Sequence, residues 1–64
     1  MEQPGLLKEM TCGDITVTLE RCGDVFYVCH WEDNEWVCGE NFDLESEAMI
    51  AYNTSTRILR TFHK

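Results

Sequence analysis

The chain has 64 residues, of which twelve are acidic and five are basic, and its formal net charge is -7. A chain of this length forms one domain near the lower size limit for independent folding, and so small a core leaves little room for a catalytic cleft. The negative charge repels nucleic acid and attracts basic protein surfaces, while the hydrophobic fraction of 44% excludes wholesale disorder. We therefore expect a binding protein rather than an enzyme, with no cofactor.

The N-terminal stretch 1–11 contains no long apolar run. This composition predicts neither a signal peptide nor a membrane span, and it favours a cytoplasmic location with reduced cysteines. We expect 1–11 to be a loosely ordered segment or a short edge segment, followed by a single β-β-β-α domain over 12–64.

The order of polar and apolar residues after position 12 predicts three strands. Polar and apolar residues alternate strictly over 14–20, which is typical of a strand with one buried face. Cys22 and Gly23 then suit a two-residue hairpin turn, and the β-branched and aromatic stretch 25–31 predicts the second strand. A turn at Asp33 and Asn34 leads into a short third strand over 36–39.

A helix is predicted over about 44–61. Asp43 is a favourable N-cap, and acids follow in the first turn, where the helix dipole favours negative charge. Apolar or small residues recur at helical spacing at Leu44, Ala48, Ala51, Tyr52, Ser55, Ile58 or Leu59, and Phe62. The predicted fold is therefore α+β, a three-stranded antiparallel sheet packed on one C-terminal helix.

Two-residue hairpins fix the expected register of this sheet. Leu19 then lies opposite Phe26, Trp31 opposite Trp36, and Cys29 opposite Cys38. One face, which the helix should cover, carries Ile15, Val17, Leu19, Phe26, Val28 and Val37. The other face, called the open face below, carries Thr16, Thr18, Glu20, Val25, Tyr27, Cys29, Trp31, Trp36 and Cys38.

The open face has no predicted cover, because three strands and one helix bury only one side of a sheet. Two explanations remain. Residues 1–11, with Leu6, Leu7 and Met10, fold across it, or it is a contact surface for a partner or a second copy. On the second explanation Tyr27, Trp31 and Trp36 form an interface, since aromatic residues anchor interfaces.

The segment 39–53 reads G-E-N-F-D-L-E-S-E-A-M-I-A-Y-N. It resembles the strand-to-helix passage of AP2-type DNA-binding domains, which reads roughly G-x-F-D-T-x-E-E-A-A-x-A-Y-D, with one extra residue here between Gly39 and Phe42. The resemblance implies three strands followed by a helix. That family reads DNA with Arg and Trp on its exposed sheet face, whereas the open face here has Trp31 and Trp36, no Arg or Lys, and Glu20. The resemblance therefore extends to the fold, and we expect no direct binding of nucleic acid.

The alternating strand directions gather the acids at two ends of the sheet. An acidic pole around the helix N-terminus comprises Glu20, Asp24, Glu40, Asp43, Glu45 and Glu47, with Arg21 nearby. A turn cluster at the opposite end comprises Asp14, Glu32, Asp33 and Glu35, which Arg57, Arg60 and Lys64 partly neutralise. The alternative is that these acids only cap the helix and maintain solubility.

The four cysteines give a weak metal signal. No C-x-x-C spacing occurs among Cys12, Cys22, Cys29 and Cys38. His30 is the strand neighbour of Cys29, so its side chain should point to the opposite face of the sheet. We predict no metal site and no catalytic residue.

Small acidic proteins without an enzyme signature resemble, as a class, the anti-CRISPR and anti-restriction proteins of bacteriophages. This resemblance implies an inhibitor in the host bacterial cytoplasm that mimics nucleic acid and blocks recognition of target DNA or its adjacent motif. The expected partner is a basic DNA-binding protein or ribonucleoprotein, such as a CRISPR effector, and the protein would be a monomer or homodimer. The predicted contacts are Asp24, Glu32, Asp33, Glu35, Glu40, Asp43, Glu45 and Glu47. The alternative is a small interaction module or antitoxin-like subunit that binds through Tyr27, Trp31 and Trp36.

Overall fold

Four antiparallel strands and one helix follow one another along the chain in a computed structural model that describes residues 5–62. The elements are β1 (Gly5–Cys12), β2 (Ile15–Cys22), β3 (Val25–Glu32), β4 (Glu35–Phe42) and α1 (Glu45–Phe62). The strands form one sheet in the order β1-β2-β3-β4. The predicted α+β class, antiparallel sheet and C-terminal helix are confirmed, but the sheet has four strands and not three.

The additional strand β1 comes mostly from the stretch 1–11, which we expected to be loosely ordered or a short edge segment, and it lies at one edge of the sheet. It pairs with β2, so that Met10 lies opposite Val17 and Cys12 opposite Ile15. The register shifts between Leu6 and Lys8, which makes Leu7 the extra residue of a bulge. The bulge interrupts the period-two alternation, and this is why the sequence pattern did not reveal the strand.

The first predicted hairpin is displaced by one residue. Cys22 pairs with Val25, and Gly23 with Asp24 forms the turn, with Gly23 at a φ of 62°. Leu19 therefore lies opposite Val28 rather than Phe26. Because this register differs from the predicted one by two residues, each side chain stays on its predicted face.

The β3–β4 pairing matches the prediction at one end and departs from it at the other. Asp33 and Asn34 form the turn with φ values of 53° and 69°, and Trp31 pairs with Trp36. The register then shifts at a bulge, so that His30 lies opposite Cys38 and Cys29 opposite Gly39. The predicted pairing of Cys29 with Cys38 is wrong, since the bulge moves Cys38 to the helix side.

The core lies between the helix and one side of the sheet. Its buried apolar residues are Val17, Leu19, Val28, Ala48, Tyr52 and Leu59. Leu59 rather than Ile58 continues the apolar stripe of the helix, because Ile58 is 52% exposed. Val37, expected in the core, is 55% exposed as a consequence of the β4 bulge. The side chain of Phe62 lies outside the described residues.

The helix begins one residue later than its predicted cap implies. The first helical hydrogen bond runs from the amide of Ala48 to the carbonyl of Leu44 at 3.2 Å. Leu44 therefore occupies the N-cap position, and Asp43 precedes it. The expectation that Asp43 caps the helix is wrong.

Candidate interaction surfaces

The acidic pole lies where the β2–β3 turn meets the passage from β4 into the helix. Phe26 and Phe42 are paired across β3 and β4, which brings Asp24 and Asp43 to the same end of the sheet. Its exposed members are Asp24, Glu40, Asp43, Glu45 and Glu47, and Glu20 is half-buried. The structure thus places all five predicted contact residues of this end together at the surface.

The base nearest to this pole is engaged by the turn beside it. Nε of Arg21 donates a hydrogen bond to the carbonyl of Gly23 at 2.9 Å. Its guanidinium also lies 5.7 Å from the ring centroid of Phe26, within the range of a cation–π contact. These contacts hold Arg21 against the hairpin and leave the carboxylates of the pole exposed.

The turn cluster is assembled by contact between two hairpins. The amide of Asp33 donates to the carbonyl of Asp14 at 3.0 Å, which joins the β1–β2 and β3–β4 turns. Glu32 and Glu35 are direct cross-strand partners, and all four acids of the cluster are exposed. Like charges directly opposite each other destabilise a sheet, so this arrangement does not serve folding.

Of the three bases expected near the turn cluster, Arg57 and Arg60 are described and exposed on the helix. Arg60 lines a cleft at the β1 edge together with Lys8, Glu9 and Tyr52. Lys64 lies outside the described residues. In that cleft, burial raises the pKa of Tyr52, which the charge of Arg60 opposes and that of Glu9 reinforces.

The open face stays uncovered within residues 5–62. The strand β1 extends the sheet sideways instead of folding across it, and Met10 turns to the helix side. Tyr27 is 37% exposed and Trp36 is 58% exposed. Of the predicted secondary interface, Tyr27 and Trp36 are accessible, whereas Trp31 is half-buried.

Three rows of side chains cross the open face at right angles to the strands. The register gives a first row of Thr11, Thr16, Trp31 and Trp36, a second of Glu9, Thr18, Cys29 and Gly39, and a third of Leu6, Glu20, Tyr27 and Asn41. Three of the four residues in the second row are small, and the indoles of Trp31 and Trp36 contact that row. Glu9 belongs to this surface through β1, a strand that the sequence pattern does not predict.

The two tryptophans make equivalent diagonal contacts. The indole Nε1 of Trp31 donates to Oγ1 of Thr18 at 3.1 Å. The indole of Trp36 lies beside Cys29 and Gly39, and its Nε1 would stand 3.3 Å from a Cβ at position 39, closer than an ordinary van der Waals contact. Burial raises the pKa of the Cys29 thiol, although a hydrogen bond with Trp36 acts in the opposite direction.

The cysteines do not assemble a metal centre in the part of the chain from 5 to 62. Sγ of Cys38 lies 3.7 Å from Nδ1 of His30 on the helix side, while Cys29 lies on the open face. No group of three His, Cys, Asp or Glu side chains among these residues is suitably placed to hold a metal ion.

Comparisons with protein families, with curated protein sequences and with solved structures find no match for this chain. The described helix is not apolar enough over sufficient length to cross a membrane.

Proposed function

We propose that this protein inhibits a nucleic-acid-binding protein by occupying its basic groove with exposed carboxylates. The acidic pole and the turn cluster stand at opposite ends of one sheet, and an eight-residue strand spans about 26 Å. A rigid sheet that holds acids at both ends presents negative charge over the length of a nucleic-acid-binding groove. Such complementarity steers association and selects basic partners.

The opposed carboxylates of Glu32 and Glu35 are the observation that carries this proposal. They are direct cross-strand partners, which disfavours folding. This like-charged pair is accounted for by binding more readily than by fold stability.

The partner we propose is a bacterial defence complex whose recognition of target DNA, or of the motif beside it, is blocked. The class resemblance to phage anti-CRISPR and anti-restriction proteins supports this choice. The inhibitor would then act in the host bacterial cytoplasm, as a monomer or homodimer, without touching DNA itself.

A second candidate function is a protein-interaction module that binds through the open face. The exposure of Tyr27 and Trp36 on an uncovered sheet face favours it. Aromatic side chains in such positions are the residues that most often dominate interface energetics.

The test measures binding of fluorescent target duplex by a panel of purified CRISPR effector complexes and restriction enzymes. We expect the protein to reduce duplex binding by one member of the panel, with an effect that weakens as salt is raised. The variant Asp43→Asn/Glu45→Gln should weaken inhibition about fivefold, because exposed charge contacts contribute up to about 1 kcal/mol each.

The matched control is Asn53→Lys/Thr54→Lys. It changes net charge by the same two units at exposed helix positions outside the acidic pole. Equal losses in the two variants would mean that net charge alone acts, which contradicts the proposal. Loss with Trp36→Ala but not with Asp43→Asn/Glu45→Gln would favour the interaction module, and no inhibition across the panel would refute the defence-complex assignment.

Direct DNA binding is tested separately by a gel shift with random duplex at low salt. We expect no shift, since the chain carries a net charge of -7. A clear shift would overturn the charge argument.

A further inference from the structure

We propose that the open face contains a docking site for an arginine side chain of the partner, between Trp31 and Glu20. The inference rests on the proposed function, because it specifies how a basic partner is held. It adds the aromatic ring of Trp31 to one half-buried carboxylate of the acidic pole, Glu20, which the exposed acids of that pole do not have beside them.

The site is a cleft of about 430 Å³ beside the Trp31 ring. Within residues 5–62 its lining has no base and consists of the apolar Leu6, the ring of Trp31 and six polar residues, Glu9, Thr11, Thr16, Thr18, Glu20 and Asn34. An aromatic ring and two carboxylates in one cleft attract a cation through both the ring face and the negative charge.

A hydrogen-bond chain preorganises this cleft. The indole Nε1 of Trp31 donates to Oγ1 of Thr18 at 3.1 Å, and Oγ1 of Thr18 donates to Oε2 of Glu20 at 3.0 Å. Thr18 is only 6% exposed, so the centre of the chain is held by the sheet itself. The ring and the carboxylate are therefore fixed relative to each other before a ligand arrives, which lowers the entropy lost on binding.

The chemistry favours arginine over lysine. A guanidinium is planar, stacks on an aromatic face and donates in a fork that matches a carboxylate, whereas an ammonium is a strongly hydrated point charge. The hydrogen bond from Thr18 goes to one of the two carboxylate oxygens of Glu20, Oε2. Glu9 also borders a second cleft, which contains the bases Lys8 and Arg60. Because those bases compete for the charge of Glu9, Glu20 is the principal anion of the site.

The test titrates the full chain with the blocked peptide Ac-Gly-Arg-Gly-NH2 and follows the indole N–H signals by NMR. We expect a saturable shift of the Trp31 indole at millimolar peptide, a smaller response to the lysine peptide and none to the uncharged citrulline peptide. Glu20→Gln, which keeps an acceptor for Thr18, should weaken binding about fivefold.

The matched control is Thr54→Lys, an equal change of charge at an exposed helix position outside both acidic clusters. An equal loss in both variants, or peptide shifts centred on the exposed acids at the helix N-terminus rather than on Trp31, would overturn the proposal. Because this assay needs no protein partner, its outcome is independent of whether any defence complex is inhibited.

Discussion

The indole of Trp36 lies so close to Gly39 that a Cβ at residue 39 would stand 3.3 Å from its Nε1. Sγ of Cys29 and the carbonyl oxygen of Val28 would lie at the same distance from that Cβ. One of these three neighbours belongs to the backbone of the adjacent strand and cannot easily move. The missing side chain at position 39 is therefore what allows the Trp36 ring to rest against the open face.

Gly39→Ala should lower the free energy of unfolding by about 1 kcal/mol relative to Gly5→Ala. Alanine at an unstrained position gains stability by restricting the unfolded chain, and at Gly5 the nearest atom to a new Cβ is 3.9 Å away. At Gly39 the crowding of Trp36 should outweigh that gain and shift the tryptophan fluorescence. Urea unfolding of both variants measures the difference, and Gly39→Ala at least as stable as Gly5→Ala would contradict the prediction.

Leu19→Ala should destabilise the domain by about 3 kcal/mol, because Leu19 is 0% exposed at the centre of the core. A loss of that size is a large fraction of the stability expected for so small a domain. Leu44→Ala is the control, since Leu44 is 56% exposed and should change stability by less than about 0.5 kcal/mol. Thermal unfolding by circular dichroism compares the two, and similar midpoints would show that the core is misplaced.

Local periodicity was sufficient to predict most of the fold. The alternation in β2, the turn residues Asp33 and Asn34, and the helical stripe through Ala48 and Tyr52 each specify their structure over a few residues. The two bulges were not predictable from local periodicity. The extra residue, Leu7 in β1 or the residue after Trp36 in β4, exchanges the sheet faces on which the neighbouring side chains of that strand lie. A bulge depends on pairing between strands, which a single strand's pattern does not contain.

The positions of the acids and of most open-face residues could be predicted about as well as the strands and the helix. Strand direction alone placed the acids at two ends, and even the displaced first hairpin preserved the open face. The chain of hydrogen bonds from Trp31 through Thr18 to Glu20 was not predictable, because it joins neighbouring rows diagonally. Glu9 was missed because its strand was missed.

Glu35→Lys should stabilise the protein by about 0.5 kcal/mol at low salt, because it replaces the like-charged cross-strand pair with Glu32 by an opposite pair. Glu45→Lys makes the same change of net charge in the first turn of the helix, where the dipole disfavours a cation. It should be destabilising by a similar amount. Both differences should shrink in 1 M salt, and shifts of the same sign would show that net charge rather than position governs stability.

Stability should fall as pH rises above the ordinary thiol value of 9.0, because burial raises the pKa of Cys29 in the folded protein. The unfolded chain then releases the Cys29 proton at a lower pH than the folded protein, so rising pH favours unfolding across that interval. Burial raises the pKa of Tyr52 as well, which extends the decline to higher pH.

The measurement is urea unfolding under reducing conditions at intervals between pH 7 and pH 10.5. Cys29→Ser should flatten the first part of the alkaline decline, since a serine hydroxyl does not titrate there, and Tyr52→Phe should flatten the later part. Cys38→Ser replaces a thiol at an exposed position and is the control. Identical alkaline slopes for wild type and Cys29→Ser would mean that the thiol beside Trp36 is not desolvated, and that the indole does not shield the second row of the open face from water.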